Sequence, residues 1–271
     1  MIKSLIRLNS HKLWPLQILV LLIVGLTSWK GIHRAPPIAP DIYPYLTSLS
    51  TELVLKCQVE GEKISPTGWA DLLALKSSLP EVQHSFVIKQ LHSGISFTKL
   101  SWKSETIQVQ TDKIKLIKRR REILLTQPYF EPSRFDFPVQ GKTWYENTFG
   151  ADREGGARKH EGTDLFGPEG TPLISVSSGQ IEKLGWNRLG GERVGIRGED
   201  GNYYYYAHLQ SIESGLKVGQ KIEKGARIGT MGHTGDALTT PDHLHFGIEL
   251  PNGEWINPYS FLYVWQHLKG L

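Results

Sequence analysis

The second half of the chain predicts a mainly β fold, either a sandwich or a barrel of short strands. From residue 132 onward, short segments with alternating apolar residues are separated by turns that carry glycine or Asp-Gly. The chain contains 28 Gly and 15 Pro among its 271 residues, in keeping with many turns. Six segments have the length and alternation of strands: 173–177, 180–184, 193–197, 203–208, 220–222 and 227–231.

Residues 241–250 have the clearest strand pattern in the chain and carry two histidines. Because successive side chains of a strand point to opposite faces, His243 and His245 lie side by side on one face. Two neutral imidazoles on a rigid strand can bind one metal ion, or act as a ligand beside a proton-transfer group. The alternative is a pair of surface histidines on an amphipathic strand. The opposite face is apolar and has a core to bury, with Leu244, Phe246, Ile248 and Leu250.

Charge is distributed unevenly along the chain. Residues 1–135 contain 18 Lys and Arg against 10 Asp and Glu, and residues 136–271 contain 13 against 17. The first half is therefore the part expected to contact an anionic surface, and no nucleic acid binding is expected around the histidines. Cys57 is the only cysteine. A single cysteine cannot form an intrachain disulfide or a zinc site built from cysteines.

The N-terminus has the pattern of a membrane anchor. Lys3, Arg7 and Lys12 precede an apolar run over residues 13–29, which is at the lower limit of length for a transmembrane helix. No small-x-small cleavage site follows, so an uncleaved anchor or uncleaved signal is favoured over a cleaved signal peptide. The basic flank predicts a cytoplasmic segment at 1–12 and a single-pass protein whose remainder is extracytoplasmic, on the periplasmic or cell-wall side. A buried core helix is the alternative.

The segments between the anchor and the β region give mixed signals. Residues 30–50 predict an extended linker because they contain four prolines. Residues 51–130 remain uncharacterised, as a small α+β or irregular region. Its basic run, 118–121, would contact lipid headgroups or wall polymers, or form a solvated helix face. The predicted elements outside the β region are helices at 67–78, 111–125 and 258–268 and strand-like segments at 85–91 and 104–110.

A second pair of polar residues lies upstream of the two histidines. His160 and Asp164 are four residues apart and offer one nitrogen and one oxygen ligand. With one imidazole from His243 or His245 they make three protein ligands, which leaves a fourth position for water, as expected of catalytic zinc. His208 is a further imidazole that spacing alone does not place. Peptide hydrolysis needs one group to take a proton from water and another for the oxyanion or the leaving amine.

In this order, His160-x-x-x-Asp164, Tyr206-x-His208 and His243-x-His245 resemble the M23 peptidases, which include the lysostaphin- and LytM-like peptidoglycan endopeptidases. The resemblance covers about residues 137–259. The adjoining segments that share it are Gly162-Thr163-Asp164-Leu165, Gly170-Thr171-Pro172-Leu173, Gly219-Gln220-Lys221-Ile222 and Gly229-Thr230-Met231-Gly232-His233-Thr234-Gly235.

The resemblance implies a compact antiparallel β-sheet or barrel-like LytM domain with a groove, of the duplicated hybrid motif type. Within residues 131–271 it implies one Zn²⁺ per chain, held by His160, Asp164 and His245. It implies that His208 and His243 are catalytic, His243 as general base and His208 as the partner of the oxyanion or leaving group. The implied substrate is a peptide of peptidoglycan cross-bridges or stems.

The chain departs from the family pattern beside the two histidines. Pro241-Asp242 precedes them where Gly-Pro is common, and Gly247 follows Phe246 where Glu is common. Glu161 and Asp242 are candidates for supporting the ligands, or are plain solvated carboxylates, and His233 is expected to be a surface histidine. The alternative function is a non-catalytic scaffold that binds or activates other cell-wall hydrolases. A regulatory protein partner remains open.

Overall fold

The computed structural model describes residues 42–131 and 133–268. The predicted cytoplasmic segment at 1–12 and the predicted anchor at 13–29 lie outside these residues. Among the described residues, no helix combines the length and the apolar character that a bilayer crossing requires. The described chain begins with helices and continues into an antiparallel β-sheet.

Five helices build the first part of the described chain, and Ser50 caps the second by accepting a hydrogen bond from the Leu53 N–H (3.4 Å). The predicted helices at 67–78 and 111–125 are confirmed. The helices are α1 (Tyr43–Ser48), α2 (Thr51–Glu62), α3 (Gly68–Lys76), α4 (Glu81–His92) and α5 (Thr111–Thr126), with 3₁₀ turns at Phe97–Lys99 and Pro128–Phe130.

Three expectations for this part of the chain were wrong. Residues 85–91 lie inside α4, where Val87, Ile88 and Leu91 form a buried helical stripe, because a short apolar run fits both periodicities. Residues 104–110 contain only an isolated bridge, between Lys103 and Gln108. The linker at 30–50 was predicted to be extended, but its second half contains helix α1, whose Leu46 is buried.

The basic run at 118–121 is partly used inside the helical region. Arg121 forms an ion pair with Asp71 at 2.5 Å, and its guanidinium lies over the Phe97 ring. Arg120 donates to the Ser77 carbonyl at 2.8 Å. These two cations therefore stabilise the packing of α5 on α3.

The β region contains a small hairpin and a larger sheet of nine antiparallel strands. The strands are β1 (Asp152–Arg153), β2 (Arg158–Lys159), β3 (Thr163–Phe166), β4 (Pro172–Ile174), β5 (Gly179–Asn187), β6 (Gly191–Gly198), β7 (Tyr203–Ile212), β8 (Lys221–Ile222), β9 (Arg227–Met231), β10 (His243–Glu249) and β11 (Trp255–Ile256). Each of the six predicted segments overlaps one of these strands.

The large sheet is open and branched. Its main path runs β11-β10-β7-β6-β5-β8, with β3 paired to β10 and with β9 paired to both β4 and β7. In the described part of the chain no pairing joins β8 to β11, so the predicted antiparallel sheet is confirmed and the barrel-like closure is not. The central strands β7 and β10 are paired on both sides, and they carry three of the five predicted site residues, His208, His243 and His245.

A C-terminal helix, α6 (Tyr259–Leu268), connects the sheet to the helical region, as predicted for residues 258–268. Asn257 starts it by accepting a hydrogen bond from the Tyr259 N–H at 3.0 Å. Phe261 and Trp265 are buried, and the Trp265 indole donates to the Tyr129 carbonyl at 2.8 Å. The helices and the sheet therefore share one continuous apolar core.

A buried polar network joins the same two parts. Tyr204 donates its hydroxyl to Asp200 at 2.5 Å, and the Asn202 amide donates to Asp200 at 2.8 Å and to the hydroxyl of Tyr129. Burial raises the pKa of the Asp200 carboxyl, and the hydrogen bonds from Tyr204 and Asn202 oppose that rise. Tyr129 belongs to the helical region, so it completes a network that the sheet begins.

We expect Tyr129→Phe to lower the free energy of unfolding by about 1–2 kcal/mol, because one buried amide N–H loses its acceptor in the helical region. Urea denaturation at a constant m-value measures this change. Tyr263→Phe is the matched control, because the Tyr263 ring stacks on His267 and α6 keeps its packing without the hydroxyl. Equal midpoints for the two variants would contradict the role given to the network.

Candidate active site

The register between β3 and β10 brings together two of the predicted ligands. His245 is directly opposite Asp164, and Leu244 and Phe246 are opposite Leu165 and Thr163. Directly opposed residues in an antiparallel pair have Cβ atoms about 4.5–5.5 Å apart. A shift of one residue would send His245 to the other face of the sheet, into the core. The apolar residues that alternate with the histidines fix this register, because they are buried.

His160 reaches the same point from the loop that follows β2. Its backbone N–H donates to the Ala151 carbonyl at 2.9 Å, and its side chain is only 1% exposed. The Nδ1 atom lies 3.1 Å from the Thr148 carbonyl, and a carbonyl only accepts hydrogen bonds. Nδ1 therefore carries a proton, and the lone pair of Nε2 is directed at Asp164 and His245 in the neutral ring.

Three acceptor atoms meet at nearly equal distances. His160 Nε2, Asp164 Oδ1 and His245 Nδ1 are each 3.0 Å from the other two. These three residues can hold a metal ion within the described part of the chain. Converging lone pairs repel one another unless protons or a cation lie between them. Two imidazole nitrogens and one carboxylate oxygen are the donor set of a catalytic zinc site, with ligands at about 2.0–2.2 Å from the ion.

The charge of Asp164 is balanced by its neighbours. Burial favours the neutral acid, but the contacts with the His160 and His245 rings outweigh it and hold the pKa of the Asp164 carboxyl far below its usual range. The second carboxylate oxygen, Oδ2, accepts a hydrogen bond from Arg153 at 2.5 Å. Burial also lowers the pKa of His245, although Asp164 opposes this effect. The carboxylate is therefore ionised and the imidazole is neutral, as metal ligands must be.

His208 enters the site through an irregularity in β7. Strict alternation would place His208 on the same face as Tyr204 and Tyr206, which are fully buried. The backbone of His208 has φ 65° instead, in the left-handed region that non-glycine residues rarely adopt. The pairing of β7 with β6 also shifts register here. This bulge turns the imidazole out of the core and into the groove.

Backbone carbonyls orient both predicted catalytic histidines. His208 Nδ1 donates to the Thr234 carbonyl at 2.8 Å, and His243 Nδ1 donates to the Pro241 carbonyl at 2.8 Å. The two ring centroids are 4.9 Å apart. Burial, and then the neighbouring imidazoles of His245 and His243, lower the pKa of His208 to about 4. Both rings therefore present Nε2 as an acceptor when they are neutral.

The structure brings all five predicted site residues into one cluster. His243 Nε2 lies 3.9 Å from Asp164 Oδ1, whereas the ligand atoms of the three predicted metal ligands lie 3.0 Å from one another. His233 and Asp242 pair with each other at 2.6 Å, so Asp242 holds a loop beside His243 and does not contact a ligand. Glu161 lines the groove without a hydrogen bond to a ligand in the described residues.

The cluster lies in an open groove of about 870 Å³. Tyr203, Tyr205 and Trp255 form an aromatic floor beside His245, with the Tyr205 ring 6.0 Å from the His245 ring. A side chain at Gly247 would collide with the Trp255 ring at 2.6 Å. The departure from the family pattern at Gly247 therefore makes room for this tryptophan. All described residues that line the groove lie in the β region, between 153 and 255.

Sequence reasoning missed several residues that shape the site. Arg153 holds the second oxygen of Asp164, and Trp255 completes the floor. Thr234 orients His208 by its carbonyl, and its hydroxyl accepts from the Glu192 N–H at 3.0 Å. Only the contact between Gly247 and Trp255 had a signal in the sequence, because Gly247 departs from the family pattern, and the sequence did not show that Trp255 lies against it. The other contacts join residues far apart in the chain, which spacing does not reveal.

The five predicted site residues lie in a region that matches a known protein family. Peptidase family M23 matches residues 158–258, a range that contains His160, Asp164, His208, His243 and His245. The β region of this chain is therefore an M23 peptidase domain, and the resemblance inferred from its motifs is confirmed.

Curated relatives agree with this assignment. The chain is 38% identical over 176 residues to the L-Ala–D-Glu endopeptidase of Bacillus subtilis, a match that covers 62% of this chain and 52% of the relative. It is 32% identical over 131 residues to the murein hydrolase activator NlpD of Escherichia coli, with 48% and 31% covered. This chain thus spans about half or less of the length of both relatives.

The solved catalytic domain of lysostaphin from Staphylococcus simulans is 34% identical to this chain. The match covers 44% of this chain and 92% of that domain, with a TM-score of 0.40.

We expect Gly162→Ala to weaken metal binding by about tenfold or more, as loss of a supporting contact does at metal sites. A Cβ at Gly162 would lie 2.7 Å from the His245 ring and would push that ligand aside. Zinc titration against a competing chelator measures the effect. Gly141→Ala is the control, because its Cβ would meet only the flexible Thr171 side chain. Equal affinities in both variants would contradict the role assigned to Gly162.

Proposed function

We propose that this protein is a zinc-dependent endopeptidase that hydrolyses peptide bonds in peptidoglycan cross-bridges or stem peptides. The observation that carries the proposal is the convergence of His160, Asp164 and His245 at 3.0 Å with two further imidazoles beside them. These three residues would hold one zinc ion per chain. When bound, zinc supplies Lewis-acid activation of water and polarises the scissile carbonyl.

The two remaining histidines supply the proton transfers. His243 and His208 each donate Nδ1–H to a backbone carbonyl, so Nε2 is the atom that faces the substrate. His243 takes the proton of the attacking water as general base. His208 binds the developing oxyanion or the leaving amine once its Nε2 carries a proton. Their fixed orientation lowers the reorganisation that the reaction requires.

The groove supports a peptide as the substrate. An open cleft admits an extended chain, and an aromatic floor beside the ligands gives it an apolar surface to lie on. Relatives support the class of peptide: one of them is named an L-Ala–D-Glu endopeptidase, and another a glycyl-glycine endopeptidase. The family domain thus supports a peptidoglycan substrate, and the bond remains to be identified.

A non-catalytic scaffold is the alternative function. The relative NlpD is named a murein hydrolase activator, so similarity to the family does not by itself imply catalysis. An activator has no need for ligands and proton-transfer groups. The presence of all five site residues, with tautomers set by Thr148, Thr234 and Pro241, supports the enzyme over the scaffold.

We expect the purified chain to contain one zinc ion and to release new peptide ends from purified sacculi, in a reaction that a chelator stops. Elemental analysis and mass spectrometry of the released muropeptides measure both properties. Zinc without cleavage, for sacculi of several cross-bridge chemistries, would overturn the catalytic proposal and favour the scaffold.

Two variants test the assignment of roles. His245→Ala should remove zinc and activity together, because it deletes one of three ligands. His208→Ala should lower activity by about 10²-fold or more while zinc remains bound, because it deletes only a proton-transfer or oxyanion group. Zinc loss in the His208 variant, with zinc retained in the His245 variant, would reverse the assignment.

We also propose that residues 13–29 anchor the protein in the cell membrane, with the M23 domain outside the cytoplasm. The support is the apolar run after Lys3, Arg7 and Lys12, and peptidoglycan lies on that side. Cell fractionation and protease accessibility of the intact cell test it, since a protein recovered in the soluble cytoplasmic fraction would contradict it.

A further inference from the structure

The cations that line the groove differ sharply in their pairing. On the wall formed by residues 153–160, Arg153 pairs with Asp164, Arg158 pairs with Glu154 and Asp236, and Lys159 pairs with Asp152. The charges of this wall are therefore largely compensated.

The opposite wall, formed by β5, β6 and the turn between them, carries three cations without ion pairs. Lys183, Arg188 and Arg193 line the groove. Within the described residues none of them forms an ion pair, although Lys183 acts electrostatically on the Glu182 carboxyl beside it. We call these three residues the cationic wall. An uncompensated positive wall in a cleft attracts anionic groups and discriminates against cationic ones.

Arg193 is the member of the cationic wall that is best placed to bind a ligand. Its side chain is half-buried, and its Nε atom is buried without a hydrogen-bond partner in the described residues. A buried guanidinium N–H without an acceptor is costly. A planar guanidinium matches a carboxylate in a bidentate geometry, so a substrate carboxylate would satisfy this donor.

The aromatic floor directs a peptide towards Arg193. The Tyr203 hydroxyl packs against Gly195, where a Cβ would lie 2.0 Å away, and the Tyr205 hydroxyl packs against Gly190, where it would lie 2.1 Å away. Arg193 lies on the chain between these two glycines. A peptide on the tyrosine floor next to His245 therefore has the cationic wall along one side.

We propose that Arg193, assisted by Lys183, binds a free carboxylate of the substrate next to the scissile bond. The inference rests on the proposed function and narrows it: the substrate is a stem peptide that carries a carboxylate at this position, and not an uncharged glycine bridge. Arg193 is thus a specificity residue of this groove.

Three peptides test the inference with the full-length chain. The first contains an L-Ala–D-Glu bond with the D-Glu carboxylate free, the second has that carboxylate converted to an amide, and the third is pentaglycine. We expect the acid to exceed the amide by about tenfold or more in kcat/KM, mainly through KM, since one charge-assisted contact is lost. Pentaglycine should be cleaved most slowly.

Variants assign the preference to Arg193. Arg193→Gln should reduce the ratio of acid to amide to about twofold or less, mainly by raising KM for the acid, and Arg193→Lys should restore part of the ratio. Arg227→Gln is the matched control: it removes one positive charge that is paired with Glu213 outside the groove, so it should keep the ratio. If the role of Arg193 were merely structural, its replacement would lower kcat/KM for both substrates equally, and that result would overturn the inference.

Binding measurements separate the two proposals. Titration calorimetry of the acid and amide peptides with the His208→Ala chain reports the preference without turnover. A preference in binding without any cleavage by the native chain would support the carboxylate site and overturn the proposed enzyme. Cleavage of acid and amide at equal rates, or faster cleavage of pentaglycine, would support the enzyme and overturn the carboxylate site.

Discussion

The close approach of three lone-pair atoms is the constraint on which the site depends. His160 Nε2, Asp164 Oδ1 and His245 Nδ1 are held 3.0 Å apart in a buried position. Such an arrangement is unfavourable without a cation or protons, because each atom has lost water and faces another acceptor. The surrounding fold must therefore hold these three atoms together. It does so through the β3–β10 register, the absence of a side chain at Gly162, and the hydrogen bond from Arg153 to Asp164 Oδ2.

Strain at one residue links the predicted catalytic histidines to the rest of the sheet. The left-handed backbone of His208 costs of order 1–3 kcal/mol, and the paired strands β6, β7 and β9 impose it. The carbonyl of Thr234 then fixes the ring. The loop around Thr234 is itself held by hydrogen bonds to Glu192 and to the Leu209 carbonyl. The position of the His208 ring thus depends on contacts among three separate segments of the chain.

The helical region and the M23 domain share one core but have different relations to the groove. Trp265 and Tyr129 join them through an indole hydrogen bond and a buried polar network. The described residues that line the groove all belong to the M23 domain. The helical region therefore stabilises the back of the sheet and leaves the groove open. The cations on one wall of the groove are paired with carboxylates, whereas those of the cationic wall form no ion pair in the described residues. The groove is therefore electrostatically asymmetric.

The sequence by itself predicted the antiparallel β fold from strand alternation and turn glycines, and its resemblance to a known family singled out the five candidate site residues, because short motifs and alternation are local properties. It gave the wrong structure for residues 85–91, where a short apolar run satisfied two periodicities. Only the tertiary structure decided that the sheet is open and that His208 leaves the core face through a bulge. It also decided that Arg153 has a carboxylate partner whereas Arg193 has none among the described residues. These features depend on register and on contacts between distant strands, which local patterns do not encode.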